Sequence, residues 1–169
     1  MTSEKQPALL VGFVILSLPK KRRFSAAKQR KGEKDMEFSS LDEVREYYSK
    51  DEFANKCLNA QIDDYDFETG VAKVSMTIDD RHHNALGGVM GGVLFALADY
   101  ALAIACNTNQ PNSVSVDHSI SFMKAAKGQR LIAIAKPMRL GKRLAFFSVD
   151  IYDEKDTYVS HMTATVCRI

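Results

Sequence analysis

The chain has 169 residues, which is enough for one domain with a substantial core and too short for two domains of ordinary size. Apolar residues make up 46% and charged residues 26% of it, the composition of a soluble globular protein. The three cysteines are widely spaced, which argues against a disulfide framework and against a CxxC metal site: Cys57, Cys106 and Cys167. We therefore expect a reducing, cytoplasmic location.

Charge is unevenly distributed along the chain. Residues 1–35 hold nine Lys or Arg and three Asp or Glu, a net charge of +6, whereas residues 36–169 hold fourteen and eighteen, a net charge of −4. Three interpretations of the basic segment stay open: a membrane or nucleic-acid anchor, a targeting segment, and an extension unrelated to the domain. We favour the last, with no nucleic-acid partner and no membrane contact expected.

Two features of residues 1–35 support that preference. The apolar run at 8–18 is too short to span a bilayer, and the basic cluster follows it instead of preceding it, unlike a secretory signal. The first well-patterned segment begins just after Met36. The sequence therefore predicts a disordered extension over residues 1–35, a working protein that starts near Met36, and one domain over residues 36–169.

Periodicity and turn signals predict the elements of this domain in chain order. A capping box formed by Ser40 and Glu43 begins a helix that runs to about Tyr48. A second helical stretch, two strands and a polar loop follow, at 51–58, 61–67, 71–78 and 79–88. A helix of about fifteen residues comes next, and four strands complete the chain, at 113–123, 131–138, 144–152 and 157–168.

The helix that follows Gly91 and Gly92 is apolar on every face, which predicts that it is buried all round. Short connections between the strands predict antiparallel neighbours. An antiparallel sheet of about five to six strands, wrapped around one long central helix, satisfies both features, so we expect an α+β fold.

Clean alternation in the strand at 113–123 predicts which side chains share a face. It places Val116 and His118 on one face of the sheet, and Ser115 and Asp117 on the other. A catalytic triad of Asp99, His118 and Ser115 is excluded on this ground.

Asp99 is the only charged residue of the predicted central helix. Burial of an unpaired carboxylate is costly, so Asp99 is either paired across an interface or faces a site. The glycines just before it allow close approach of a ligand to the backbone: Gly87, Gly88, Gly91 and Gly92. The free amides at a helix start can bind an oxyanion or a polarised carbonyl.

These residues resemble a known family. The loop pair His83-Asn84, the pair Gly91-Gly92 and the spacing to Asp99 resemble the acyl-CoA thioesterases of the phenylacetate-degradation (PaaI-like) type, which have the hotdog fold. The resemblance continues through 114–126 and 140–147, and it covers roughly residues 60–169.

The resemblance implies an acyl-CoA thioesterase that hydrolyses small or medium acyl groups as a homodimer or a homotetramer, with sites between subunits. It implies no cofactor, since coenzyme A is part of the substrate. In this family pattern the Gly91 amide polarises the thioester carbonyl and Asn84 orients the thioester or the water. Asp99 acts as general base, or as a nucleophile that forms a transient anhydride, and Ser115 aligns the water.

Five further residues are candidates for substrate binding. Many relatives have histidine where this chain has Met90, so we expect Met90 to shape an apolar acyl pocket. His83 and Gly92 adjoin the same helix start, and Lys142 and Arg143 follow a glycine turn where they could meet the phosphates of coenzyme A.

Two alternatives remain open. The first is a non-catalytic sensor that binds acyl-CoA, against which Asp99 argues. The second is an enoyl-CoA hydratase, which needs a histidine–carboxylate pair at the helix, whereas the helix sequence contains no histidine. Metalloprotease, dinucleotide-binding, nucleotide-hydrolysing and serine-hydrolase classes lack their motifs in this sequence.

Overall fold

The computed structural model describes residues 37–169. The predictions for residues 1–35 and for a start near Met36 lie outside the described residues. Two α-helices, a π-helical turn and a 3₁₀ turn occur, at α1 (Leu41–Tyr48), Phe53–Cys57, Asp80–His82 and α2 (Gly91–Asn107). Six strands accompany them: β1 (Ala60–Tyr65), β2 (Ala72–Thr77), β3 (Ser113–Phe122), β4 (Arg130–Leu140), β5 (Leu144–Asp153) and β6 (Tyr158–Arg168).

The six strands form one antiparallel sheet in the order β1-β2-β4-β5-β6-β3. The predicted α+β fold, with one sheet around one long helix, is confirmed. One neighbour relation is wrong: β3 pairs with β6 and not with β4, although a short connection joins β3 to β4. As a result β3 lies at the edge of the sheet.

Helix α2 packs against one face of the sheet and contacts β2, β3, β4, β5 and β6. The side chains that meet there are almost completely buried, among them Leu97, Val74, Phe147 and Met162. Burial of this apolar surface supplies the main driving force for folding. Within residues 37–169 no helix is both long and apolar enough to cross a membrane.

The prediction that α2 is buried all round is wrong for the single chain. One stripe of the helix stays partly open, with members at i, i+3, i+4, i+7 and i+11: Gly92, Phe95, Ala96, Asp99 and Ala103. This spacing is one face of an α-helix. Because the open face lies beside β3, the carboxylate of Asp99 is half exposed.

The predicted alternation of β3 is also interrupted. The register between β3 and β6 shifts between Ser115 and Asp117, so that Val116 is an extra, unpaired residue. Ser115 therefore lies opposite Val166, and His118 opposite Ala164, both of which point into the core. Directly opposed residues share a face of the sheet. Ser115 and His118 consequently lie on the same face, the one that holds α2.

Buried His82 fixes the loop that leads into α2. Its Nδ1 accepts a hydrogen bond from the amide of Asp79 at 3.0 Å, and its Nε2 lies 3.0 Å from the carbonyl oxygen of Cys57. Its own carbonyl accepts from the amide of Met90, the N-cap residue of α2, at 2.8 Å. With Nδ1 as acceptor, Nε2 carries the proton and donates to Cys57.

Replacement of His82 by alanine removes the side-chain partner of two part-buried backbone groups, the amide of Asp79 and the carbonyl of Cys57, and leaves a cavity where the buried ring was. We expect His82→Ala to lower the free energy of unfolding by about 2–4 kcal/mol. The exposed neighbour His83 provides the matched control, and His83→Ala should change it by less than about 0.5 kcal/mol. Urea unfolding of both variants measures the difference, and an equal loss in the two would contradict the structural role of His82.

Candidate active site

The centre of the candidate site is Asp99, eight residues after the first residue of α2. Its Oδ1 lies 3.5 Å from Nδ1 of His118, which projects from β3 toward the helix. The ring of His118 also packs against the ring of Phe95, with 5.7 Å between their centroids. The Asp99 carboxylate is thus bounded on one side by a histidine and open on the other.

The pKa of Asp99 is raised above its ordinary value. Partial burial beside the apolar helix is the largest cause, the nearby Asp51 carboxylate acts in the same direction, and His118 opposes both. A carboxylate with a raised pKa is a better proton acceptor in its ionised form. Asp99 therefore has the electrostatic setting of a general base.

The start of α2 carries a second set of functional groups. The first amides of a helix have no partner within the helix, and the side chain of the N-cap residue Met90 makes no capping hydrogen bond. A Cβ atom on Gly91 would lie 3.1 Å from the ring of Phe122, so a larger residue would have to displace that ring. Gly91 thus allows the Phe122 ring to lie against the start of the helix, and neither glycine places a side chain of its own over these amides.

Asn84 is oriented by its own loop. Its Oδ1 accepts hydrogen bonds from the amides of Leu86 at 2.9 Å and Gly88 at 3.2 Å. The backbone closes the same turn, since the Asn84 amide donates to the Gly88 carbonyl at 2.8 Å. Because the oxygen is occupied, the exposed Nδ2 group is the part of Asn84 that can donate to a ligand.

One chain does not bring all predicted site residues together. Gly91 and Asp99 are separated by eight residues of α-helix, a distance of about 12 Å along the axis. His83, Asn84, Met90 and Gly92 lie at or before the Gly91 end of α2. Asp99 lies beyond the reach of a thioester that is bound by the Gly91 amide of the same chain.

The other predicted residues lie toward the opposite end of β3. Ser115 is exposed on the face that holds α2, three residues before His118. Lys142 and Arg143 are exposed in the β4–β5 turn, where the Arg143 carbonyl accepts from the amide of Arg168. His118 belongs to a row of directly opposed residues that crosses β3, β6 and β5. The turn ends four residues before that row, a distance of about 13 Å along the strand direction.

His118 is the residue that the sequence reasoning missed. The helix contains no histidine of its own, but β3 supplies one, so the histidine–carboxylate pair judged absent is present. The argument that excluded a triad is wrong as well, since Ser115 and His118 share a face. The sequence did contain a signal for this pair, because His118 occurs among apolar residues on one face of its strand, and that face was expected to pack against the helix.

Several exposed apolar side chains lie around β3 and the start of α2. Phe122, Met123, Val116 and Met90 are each about half exposed, and Leu86 is 95% exposed. We call these five residues and Phe95 the β3–α2 edge surface. The outer backbone edge of β3 has no strand partner among residues 37–169. Such an unpaired, apolar edge favours pairing with another strand.

The detected cavity lies away from Asp99, and no group of metal ligands occurs beside it among the described residues. A cavity of about 440 Å³ lies at the β1 edge of the sheet, lined by Arg45, Asn55, Ala60, Gln61, Ile62, Asp63 and Tyr100. Over the part of the chain that the structure describes, no three His, Cys, Asp or Glu side chains are grouped as metal ligands.

Sequence comparison places this arrangement among known proteins. The profile of the thioesterase superfamily matches residues 86–160. The acyl-coenzyme A thioesterase PaaI of Escherichia coli is 31% identical over 100 residues, which cover 59% of this chain and 71% of that protein. Human acyl-coenzyme A thioesterase 13 is 37% identical over 79 residues, which cover 45% of this chain and 56% of the human protein.

Structural comparison agrees with the sequence. The E. coli PaaI protein from the phenylacetic acid degradation operon superposes with a TM-score of 0.66 and 27% identity, over 77% of this chain and 96% of PaaI. The hotdog fold expected from the resemblance is confirmed. The chain belongs to the thioesterase superfamily, as a PaaI-like thioester hydrolase of the hotdog fold.

Proposed function

We propose that this protein hydrolyses the thioester of a small or medium acyl-CoA, with Asp99 as general base, at sites shared between the subunits of a homodimer. The observation that carries the proposal is the position of Asp99, a half-exposed carboxylate with a raised pKa beside an unpaired strand edge. The names of E. coli PaaI and human thioesterase 13 support acyl-CoA as the substrate class.

The separation of Gly91 and Asp99 supports a shared site. Helix α2 runs antiparallel to β3, because Gly91 lies beside Phe122 and Asp99 beside His118. A two-fold axis near Ile120, midway along that interval of the strand, would pair two β3 edges antiparallel and exchange the two positions. Asp99 of each subunit would then face the helix start of its partner.

Each residue of such a site has a specific role. The amide of Gly91 donates to the thioester carbonyl, and the Nδ2 group of Asn84 donates to the same carbonyl or to the water. Asp99 takes a proton from water while the oxygen of that water bonds to the carbonyl carbon. The carbonyl then re-forms as the C–S bond breaks, and the coenzyme A thiolate leaves with the proton that Asp99 took from the water. Ser115, on the face of β3 that packs against α2, holds the water.

Substrate contacts extend to both sides of this centre. Met90 and the rest of the β3–α2 edge surface line the path of the acyl group, with His83 and Gly92 at its start. We expect Lys142 and Arg143, about 13 Å along the strand direction from His118, to bind the phosphates of coenzyme A.

Replacement of Asp99 by asparagine tests the role of the carboxylate. Asp99→Asn should lower kcat by about 10²–10⁴-fold, because the amide cannot accept a proton from water. Release of thiol from a panel of acyl-CoAs measures the effect. Asp117→Asn is the matched control, since Asp117 is exposed on β3 and lies on the other face, and it should retain activity.

The same panel separates the alternatives. Binding of acyl-CoA without turnover by the wild type would point to a sensor, and addition of water to an enoyl-CoA would point to a hydratase. The Asp99–His118 pair makes the second measurement necessary. A single turnover in H₂¹⁸O distinguishes base from nucleophile: a base delivers ¹⁸O to the product acid, whereas an anhydride leaves ¹⁸O in the Asp99 carboxylate.

Subunit complementation tests the shared site. We expect Asp99→Asn and Asn84→Ala to be inactive alone, and their mixed dimer to recover about half of the wild-type activity, because one of its two sites receives no substitution. Differently tagged subunits allow the mixed dimer to be purified and assayed. An inactive mixed dimer, or a monomeric wild type in light scattering, would contradict the proposal.

A further inference from the structure

His118 has an unusual combination of burial and hydrogen bonding. Its side chain is only 8% exposed, and its Nδ1 faces Oδ1 of Asp99 at 3.5 Å. Its Nε2 is fully buried and has no hydrogen-bond partner among residues 37–169. Buried polar atoms normally have partners, so this orientation of the ring needs a reason.

The surroundings of the two ring nitrogens determine which tautomer of His118 is favoured. A proton on Nδ1 points at the carboxylate of Asp99, whereas a neutral ring protonated at Nε2 would bury a donor without an acceptor and turn a lone pair toward that carboxylate. A doubly protonated ring would also leave the Nε2 proton unpaired. Of the two neutral tautomers, the one with its proton on Nδ1 is therefore favoured.

We propose that His118 is a positioning residue for the reaction, in which its neutral Nδ1–H donates to Oδ1 of Asp99 and directs Oδ2 toward the attacking water. This inference rests on the proposed role of Asp99 as general base. The ring is itself held in place by Phe95 and by the core behind β3. The water-facing oxygen of Asp99 thus receives a defined direction from a rigid neighbour.

A neutral donor suits a general base better than a cation does. A full positive charge at 3.5 Å would draw the pKa of Asp99 down and weaken it as a proton acceptor. The other titratable groups near Asp99 are Asp51, between α1 and the π-helical turn, and Cys106, about two turns further along α2. Burial, the largest cause, and Asp51 raise the pKa of Asp99, and His118 offsets this rise only in part, so Asp99 keeps a raised pKa beside the imidazole.

The bulge in β3 makes this contact compatible with Ser115. Because Val116 is the extra residue, Ser115 and His118 both face α2, three residues apart. One strand therefore supplies both a hydroxyl for the water and a donor for the carboxylate. Uninterrupted alternation would direct one of them away from the helix.

Two substitutions of His118 separate positioning from packing. His118→Leu keeps an apolar side chain of comparable reach but removes the donor, so we expect kcat to fall about 10- to 100-fold with KM nearly unchanged, as for loss of one hydrogen bond to a charged group. His118→Asn places an amide N–H close to the position of Nδ1. It should restore kcat to within about threefold of the wild type.

The pH profile of kcat/KM provides a readout that a packing role would not move. Its acid limb follows ionisation of Asp99, and a donated hydrogen bond stabilises the ionised form. Loss of the donor therefore raises the pKa of Asp99. The acid limb should move to higher pH in His118→Leu and stay near its wild-type position in His118→Asn.

A second histidine–aspartate pair supplies the matched control. His161 on β6 lies 2.8 Å from Asp150, on the face of the sheet opposite to α2. His161→Leu should leave both kcat and the acid limb unchanged. Thermal unfolding of every variant verifies that the fold is retained.

Each outcome decides a separate question. Full activity in Asp99→Asn would reject the proposed function itself. An inactive Asp99→Asn combined with wild-type kcat and pH profile in His118→Leu would reject only the role of His118. If His118→Leu does not fold, His118→Gln replaces it, because its longer side chain places the amide near the Nε2 position. Equal activities of the Gln and Asn variants would then overturn the inference.

Discussion

The antiparallel packing of α2 along β3 is the constraint on which the remaining features depend. It places Gly91 beside Phe122 and Asp99 beside His118, at points about 12 Å apart along the helix. The carboxylate and the amides of the helix start are therefore separate halves within one chain. Between them lie the open stripe on α2 and the edge of β3, which has no strand partner among residues 37–169; the proposed dimer would bring a second copy of the chain to this place.

A single extra residue in β3 changes the chemistry of this surface. Val116 has no partner in β6, and the shift brings Ser115 to the same face as His118. The hydroxyl, the imidazole and the carboxylate of Asp99 thus border one region beside α2. The cost is a local loss of ladder hydrogen bonds at an edge strand, where bulges are common.

The sequence predicted the architecture well because hydrophobic periodicity is a local property. The N-cap at Ser40 and the apolar run of α2 were recognisable without any tertiary information, although Glu43 reaches back to the amide of Ser39 and not to that of Ser40. Strand order was harder, since short loops suggest neighbouring strands and β3 instead pairs with β6. The bulge at Val116 was not predictable, because the alternation of apolar and polar residues within one strand does not reveal which of its residues lacks a partner in the neighbouring strand.

The sequence by itself determined an α+β fold with one central helix, and it singled out Asp99, because a lone carboxylate in an apolar helix has few physical explanations. Only the tertiary structure decided that Asp99 is half exposed and touches His118, that Asn84 presents its Nδ2 group, and that Ser115 faces the helix. These properties depend on the register between β3 and β6 and on the rotation of α2 against the sheet. Both arise from contacts between residues far apart in the chain, which local patterns do not encode.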